Sequence, residues 1–418
     1  MTTINRVHAR EILDCRLEPT LRVTVETEGA SGQADVPCGR SRGKHEAVDL
    51  RDGGDRYAGR GVQTAVENVN ERIAPQLVGR EVLAQRAIDE VLLELDGTDQ
   101  KSNLGGNATT GVSLAVAKCA ANSRELPLYR YLGDVGAHTL PVPFFDLIEG
   151  GELAAGTLDF QEHQVVPTGA ESFSQAIQMC AEVYYELGDQ LARDYGDRSR
   201  NVGVEGGYTP GGMNDPRDAF EAELQAIEEL GYGDEFVLAA DVAASHFYDE
   251  NSGTYALMDE QYTRGELLDF YAELTETYPV VSLEDPLEED DFEGYRELAD
   301  TLDIQIIGDD LFVTNPKRLQ RGIDEGAANA LLLKVNQVGT LSEALDAASL
   351  AVENGYAVQV SERSGQTPDT WLADLAVGLD AGQIKTGVSR GERTEQYNRL
   401  LEIEAEQERT AYAGPFWD

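Results

Sequence analysis

The stretches FVLAADVAAS (residues 236–245), PVVSLEDPLEEDD (279–291), IQIIGDDLF (304–312), LLLKVNQ (331–337) and GQIKTG (382–387) share one form: an apolar run that ends in a charged residue and gives way to a polar turn. The charged ends are Asp241, Glu284, Asp309, Lys334 and Lys385, and the middle three follow at intervals of 25 residues. Between the runs lie helical patterns such as RGELLDFYAELTETY (264–278) and FEGYRELADTL (292–302), with apolar residues three and four apart. A core strand has no use for a terminal charge unless that end is a site, and a βα-barrel builds its site from the C-terminal ends of its strands. Alternation of this kind predicts a parallel sheet with right-handed crossovers. Six successive units close more naturally as a barrel than as an open, doubly wound sheet.

Working outward, PFFDLI (143–148) and FQEHQVVP (160–167) read as two further strands joined by a Gly-rich loop, and two helical stretches follow. The C-terminal part is therefore expected as a ββαα(βα)6 barrel rather than eight regular repeats. Nearer the start, TLRVTVET (20–27) and GQADVP (32–37) alternate with period two around a Gly-Ala-Ser-Gly turn and read as a hairpin. VQTAVENVNERIAPQLV (62–78), QRAIDEVLLELD (85–96) and TTGVSLAVAKCAANSREL (109–126) read as helices. Two domains follow: an α+β unit over 1–136 and a barrel over 137–418. The boundary lies at DVGAHTLPVP (134–143), where glycine, histidine and two prolines interrupt the periodicity. A length of 418 residues also exceeds what one hydrophobic core usually supports.

A formal charge of -44 with 41% hydrophobic residues describes a folded acidic protein with a surface suited to concentrated salt, and makes nucleic acid or anionic lipid an improbable partner. No run of 18 apolar residues is present and the N-terminus lacks a signal-like stretch, so a cytoplasmic location is expected. Cys15, Cys38, Cys119 and Cys180 form no CxxC pair and read as free thiols.

One carboxylate at a strand end is ordinarily a helix cap or a salt-bridge partner. Three on one rim repel unless a divalent cation lies between them, and an all-oxygen set from Asp241, Glu284 and Asp309 selects Mg²⁺ or Mn²⁺ over zinc. The chain has only six lysines, so two at strand ends, Lys334 and Lys385, stand out. Lysine can lose its proton where arginine cannot, and desolvation or a nearby cation lowers its pKa toward the range of a general base. A lysine facing Mg²⁺ suits removal of a proton next to a carboxylate. Elimination then needs an acid opposite, for which Glu205 in VEGGYTP (204–210) and Glu162 in FQEHQ (160–164) are candidates.

These residues carry a resemblance. AREILD (9–14) with Pro19 and Thr20 following, GNATTGVSLAVAK (106–118), VEGGYTP, AADVAAS (239–245), VSLEDPLEEDD (281–291), IGDDLFVTNPKR (307–318), LLLKVNQVGTL (331–341), RSGQTPDTWLADLAVGL (363–379) and GQIKTG occur in the order found in enolases. The chain resembles that family, the Mg²⁺-dependent phosphopyruvate hydratases, over nearly its whole length. The resemblance implies an α+β cap followed by a ββαα(βα)6 barrel. It implies Asp241, Glu284 and Asp309 as metal ligands, Lys334 as base, and Glu205 as acid supported by Glu162. Lys385, with Gln161 beside the site, would bind the substrate carboxylate, and Arg363 and Ser364 the phosphate. A homodimer or higher homo-oligomer is implied as well.

Departures cluster at the loops. CGRSRG (38–43) stands where the family has Ser-Gly-Ala-Ser-Thr-Gly, so Cys38 replaces a serine that helps hold a second Mg²⁺, and Arg40 and Arg42 are added. A thiol is a poor magnesium ligand, and arginine pairs bidentately with phosphate. GGELA (150–154) puts Leu153, and SERSG (361–365) puts Glu362, at positions where the family has histidine. CRLEPT (15–20) and Val204 are further changes. An unpaired Glu362 beside Arg363 would weaken phosphate binding. Two readings besides dehydration of 2-phosphoglycerate follow: an enolase-like relative acting on another phosphorylated, phosphonate or carboxylate acid, and a scaffold that keeps the fold.

Overall fold

The computed structural model describes residues 2–40, 42–133, 137–154, 158–407 and 410–413. Residues 134–136 of the expected boundary, and Ser41 of CGRSRG, lie outside the described residues.

The N-terminal sheet has three antiparallel strands, β1 (Arg6–Leu13), β2 (Pro19–Glu26) and β3 (Ser31–Asp35), in that order. The hairpin of β2 and β3 matches the sequence reading; β1 escaped it because RVHAREIL has three charged residues and a histidine, with six of its eight positions exposed or only partly buried. Helix α1 (Gln85–Asp96) backs α2 (Gly106–Ser123), the long helix that lies against the sheet. α2 is buried almost all round because Gly, Ala, Ser and Thr let its backbone approach closely. The approach is tightest at Gly32 on β3, where a Cβ would stand 2.1 Å from the Cys119 nitrogen.

Eight strands close the barrel: β4 (Val142–Glu149), β5 (Glu162–Val166), β6 (Val237–Asp241), β7 (Val280–Glu284), β8 (Gln305–Gly308), β9 (Ala330–Leu333), β10 (Ala357–Ser361) and β11 (Gly382–Lys385). Around them run α3 (Phe173–Tyr195) and α4 (Pro216–Glu229) after β5, then α5 (Arg264–Thr277), α6 (Phe292–Thr301), α7 (Pro316–Glu325), α8 (Leu341–Glu353), α9 (Trp371–Gly378) and α10 (Gly391–Glu406). This is the ββαα(βα)6 order, with β5 antiparallel to both neighbours and the other pairs parallel. Sharp helix starts follow local chemistry: Asp215, Asp291, Asn315 and Thr340 accept from backbone N–H groups, and Thr263 with Glu266 forms a capping box.

The register sets the site. Glu162 pairs across from both Glu149 and Asp241, and Asp241 from Glu284, so four acids share one level of the rim. Because β5 runs backwards, its first residue reaches the same rim as its neighbours' last. Below the charged level, Gln305, Gln359, Gln383 and Ser282 hydrogen-bond across the barrel interior, at 2.7–3.2 Å. Ile307, Ala330 and Leu332 form a small apolar cluster of their own on β8 and β9. Among the described residues no helix is long and apolar enough to cross a membrane.

Candidate functional site

The cleft at this rim is lined by Gly39, Leu153, Gln161, Glu162, Glu205, Asp241, Asp309, Asp310, Lys334, Glu362, Arg363, Ser364 and Lys385, among others. At its centre Lys385 Nζ lies 2.6 Å from Glu284 Oε2, 3.2 Å from Asp241 Oδ2 and 3.2 Å from Glu162 Oε2. One ammonium thus serves three buried carboxylates, and Gln161 donates a further bond to Asp241 at 3.1 Å. Glu284 Oε1 is buried without a partner among the described residues. Burial, then the Asp241 charge, pushes the Glu284 carboxyl well up; burial likewise pushes Glu162 up to about 7 against the pull of Lys385.

Lys334 Nζ stands 2.5 Å from Asp309 Oδ2, and Gln337 donates to Asp309 Oδ1 at 2.7 Å. Burial alone would raise the Asp309 pKa and lower that of Lys334, but the ion pair wins on both: Asp309 is held down and Lys334 up. The expectation of a lowered Lys334 pKa is therefore reversed in this arrangement, because Asp309 gives its charge to the lysine. Of the expected metal ligands, Asp241 and Glu284 meet on Lys385, while Asp309 sits on the next strand with its own lysine.

All three are oxygen donors, with an orphaned Glu284 oxygen and more carboxylate than ammonium nearby, so their chemistry fits a hard divalent cation, although their oxygens do not all lie within 4.8 Å of one another. Asp285 is not a free ligand although it lies within 4.8 Å of Asp309 and Asp310. Its oxygens accept from the backbone nitrogens of Asp309 (2.9 Å) and Asp310 (2.8 Å) and from the Tyr295 hydroxyl (3.0 Å), which fixes where Asp309 points.

On the opposite side Glu205 is buried, and one oxygen each of Glu205, Glu162 and Asp146 lie within 4.8 Å of one another. Glu149 accepts from the Glu205 nitrogen at 3.0 Å and the Gly207 nitrogen at 2.6 Å, shaping the turn that carries the acid. Burial and then the Glu205 charge push Glu149 up to about 8. Asp146 and Glu149 were missed in the sequence, although two acids within PFFDLIE, an otherwise apolar strand, were a readable signal.

The segment carrying Arg363 and Ser364 holds the largest surprises. Arg363 is buried in a two-pronged pair with Glu46, both contacts 2.9 Å. Glu362 is paired with the fully buried Arg393, which also donates to the Arg363 carbonyl at 2.8 Å and the Ser364 carbonyl at 2.9 Å. Burial still pushes the Glu362 carboxyl up against the pull of Arg393. Nothing in the helical pattern of α10 singled Arg393 out. Cys38 is buried, its thiol donating to Asp49 at 3.1 Å and accepting from Arg51 at 2.9 Å; burial, then Asp49, pushes it up to about 11. All four cysteines are free. Arg40 and Arg42 lie half exposed at the mouth, and Leu153 lines the cleft where its carbonyl accepts from the Val204 nitrogen at 3.1 Å.

A barrel whose rim sets acids and a lysine around a cation-ready cavity, under an α+β cap, belongs to the class that ionises carbon acids. The comparisons narrow it. Residues 4–132 match the enolase N-terminal domain and residues 137–416 the enolase C-terminal TIM barrel domain. The enolase of Methanopyrus kandleri is 55% identical over 99% of this chain and 98% of its own length. That of Pyrococcus furiosus is 56% identical over 98% and 96%, and that of Thermococcus gammatolerans 54% over 97% and 95%. The chain belongs to the enolase family.

Proposed function

We propose that this protein is a Mg²⁺-dependent hydro-lyase that converts 2-phosphoglycerate to phosphoenolpyruvate and back. Asp241, Glu284 and Asp309 would hold the cation, which when bound offsets the charge that develops on the substrate carboxylate. Lys334 takes the proton from the carbon next to the carboxylate at Nζ. Glu205, beside Glu162 and Asp146 and held by Glu149, donates a proton to the leaving hydroxyl, which departs as water. Lys385 and Gln161 orient the carboxylate end, and Arg363 and Ser364 the phosphate. The domains are read as 1–136 and 137–418, and the protein as a cytoplasmic, salt-adapted homo-oligomer of the glycolytic or gluconeogenic route.

The observation that carries the reading is the sharing of one cleft by the Lys334–Asp309 pair and the Lys385 carboxylate nest. The test is the rise in ultraviolet absorbance of the enolpyruvate product from 2-phosphoglycerate with Mg²⁺ in concentrated salt. Turnover is expected; none across magnesium and salt concentrations overturns it. The apolar Leu153 and the Cys38 loop favour, as the second reading, a different phosphorylated or phosphonate acid. Exchange of the α-proton for deuterium in such an acid, without turnover of 2-phosphoglycerate, would select it.

A further inference from the structure

Every cation inside the cleft is already committed: Lys334 to Asp309, Lys385 to three carboxylates, Arg363 to Glu46. A phosphoryl dianion entering there meets no surplus positive charge from those side chains. The surplus lies next door. A basin sharing Gly39 with the cleft is lined by Arg16, Arg40, Arg42, Arg51 and Arg60 against only Glu18 and Asp49, in a chain whose net charge is -44.

Three of these arginines are occupied. Arg16 grips Asp14 at 2.9 Å, Arg51 grips Asp49 at 2.6 Å, and Arg60 grips Glu18 at 2.7 Å. Among the described residues Arg40 reaches only the Glu152 carboxylate at 3.7 Å, and Arg42 only that of Asp49 at 3.5 Å, which Arg51 already holds. The two are also placed for the task. Cys38 and Gly365 exchange backbone hydrogen bonds of 3.0 and 2.8 Å, pinning the loop to the segment that carries Arg363 and Ser364. Two residues on, the Arg40 nitrogen donates to Ser364 Oγ at 2.7 Å, and Arg16 reaches the same oxygen at 3.3 Å.

We infer that Arg40 and Arg42 form an anion subsite that takes the phosphoryl group of the substrate, neutralising a tetrahedral dianion held between Ser364 and the basin. The inference rests on the proposed lyase reading for the ligand's identity, but the subsite itself requires only a phosphate dianion. Planar guanidinium forks suit phosphate oxygens, and a pair of them discriminates a dianion from a simple carboxylate.

The test is calorimetric titration of the full-length protein with inorganic phosphate, alongside steady-state kinetics, for wild type, Arg40→Ala/Arg42→Ala, Arg40→Lys/Arg42→Lys and, as a charge control, Arg86→Ala on the far exposed pair with Asp346. Expected are a loss of phosphate affinity of at least about 30-fold in the alanine pair with partial recovery in the lysine pair, a matching rise in KM for the phosphorylated acid, and no change in the control. Phosphate affinity and KM within twofold of wild type in the alanine pair overturn the inference. An equal loss in Arg86→Ala also overturns it, reducing the effect to overall charge. Arginine-dependent phosphate binding without turnover of 2-phosphoglycerate sustains the subsite while removing the lyase reading.

Discussion

At Lys334 two opposing effects meet in one side chain. Burial favours the neutral amine a base requires, and Asp309 at 2.5 Å favours the ammonium. A cation on Asp309 competes with the lysine for that carboxylate, so the acid–base state of Lys334 and the charge on Asp309 are coupled. Lys334→Ala is expected to lower kcat by about 10²–10⁴-fold, the usual contribution of a positioned base, while Mg²⁺ binding, followed by calorimetry, stays equal or tightens. Weakened Mg²⁺ binding would show that the lysine orders the site rather than competing within it. Glu362 and Arg393 pose the separate question of a buried ion pair. Removing the arginine leaves a carboxyl fully enclosed with its partner gone, so Arg393→Ala is expected to cost on the order of 3–5 kcal/mol. The measurement is the denaturant midpoint, and Glu362→Leu/Arg393→Met should regain most of the loss because it removes both charges together.

The elements explain why some of this was legible and some not. Strands β6, β7, β8 and β11, and the Lys334 that follows β9, announce themselves because each brings its charge directly after an apolar run, so the sequence neighbour of the core is the site residue. β5 is subtler: only its reversal brings Glu162, its first residue, level with Asp241, and FQEHQVVP alone does not state its direction. Contacts between distant segments were closed to sequence reading. Glu46 meets Arg363 across 317 positions and Arg393 meets Glu362 from a helix whose outward pattern looks ordinary. β1, with its charged edge, carried too weak an alternation. The turn after β11 shows how elements hold the acid in place. Gly387 has φ of +60°, and a Cβ there would stand 2.6 Å from the Glu205 carbonyl oxygen and 2.8 Å from Glu362 Oε1. Gly387→Ala is expected to push the Glu205 loop outward and cut kcat at least tenfold, with Mg²⁺ affinity unchanged. Unaltered kcat would mean that the loop yields without moving its acid.

Over the whole molecule, charge governs stability by two routes that respond differently to salt. A surface of net charge -44 repels itself more as pH rises, and concentrated salt screens that repulsion, the Debye length falling to about 3 Å at 1 M. The barrel interior is screened far less. There Glu149 titrates at about 8 and Glu162 and Asp285 at about 7, each raised first by burial, against ordinary values of 4.5, 4.5 and 3.8. Between those limits the folded state holds more protons than the unfolded one, so the slope of unfolding free energy with pH is negative. The contribution is full below about pH 4 and fades as pH climbs to about 8. Asp290, drawn down to about 2 by Lys44 and Arg318 despite burial, adds stability that is lost only as pH falls from 3.8, outside this window. Denaturant melts in 2 M KCl with chelator should therefore show stability declining from about pH 5 to pH 8 even though the surface is screened. Mg²⁺ should oppose the decline most at the upper end, where the carboxylates it engages are ionised and proton competition is least. A flat profile in high salt without the cation would place the pH sensitivity on the surface and relieve the buried carboxylates of any part in it.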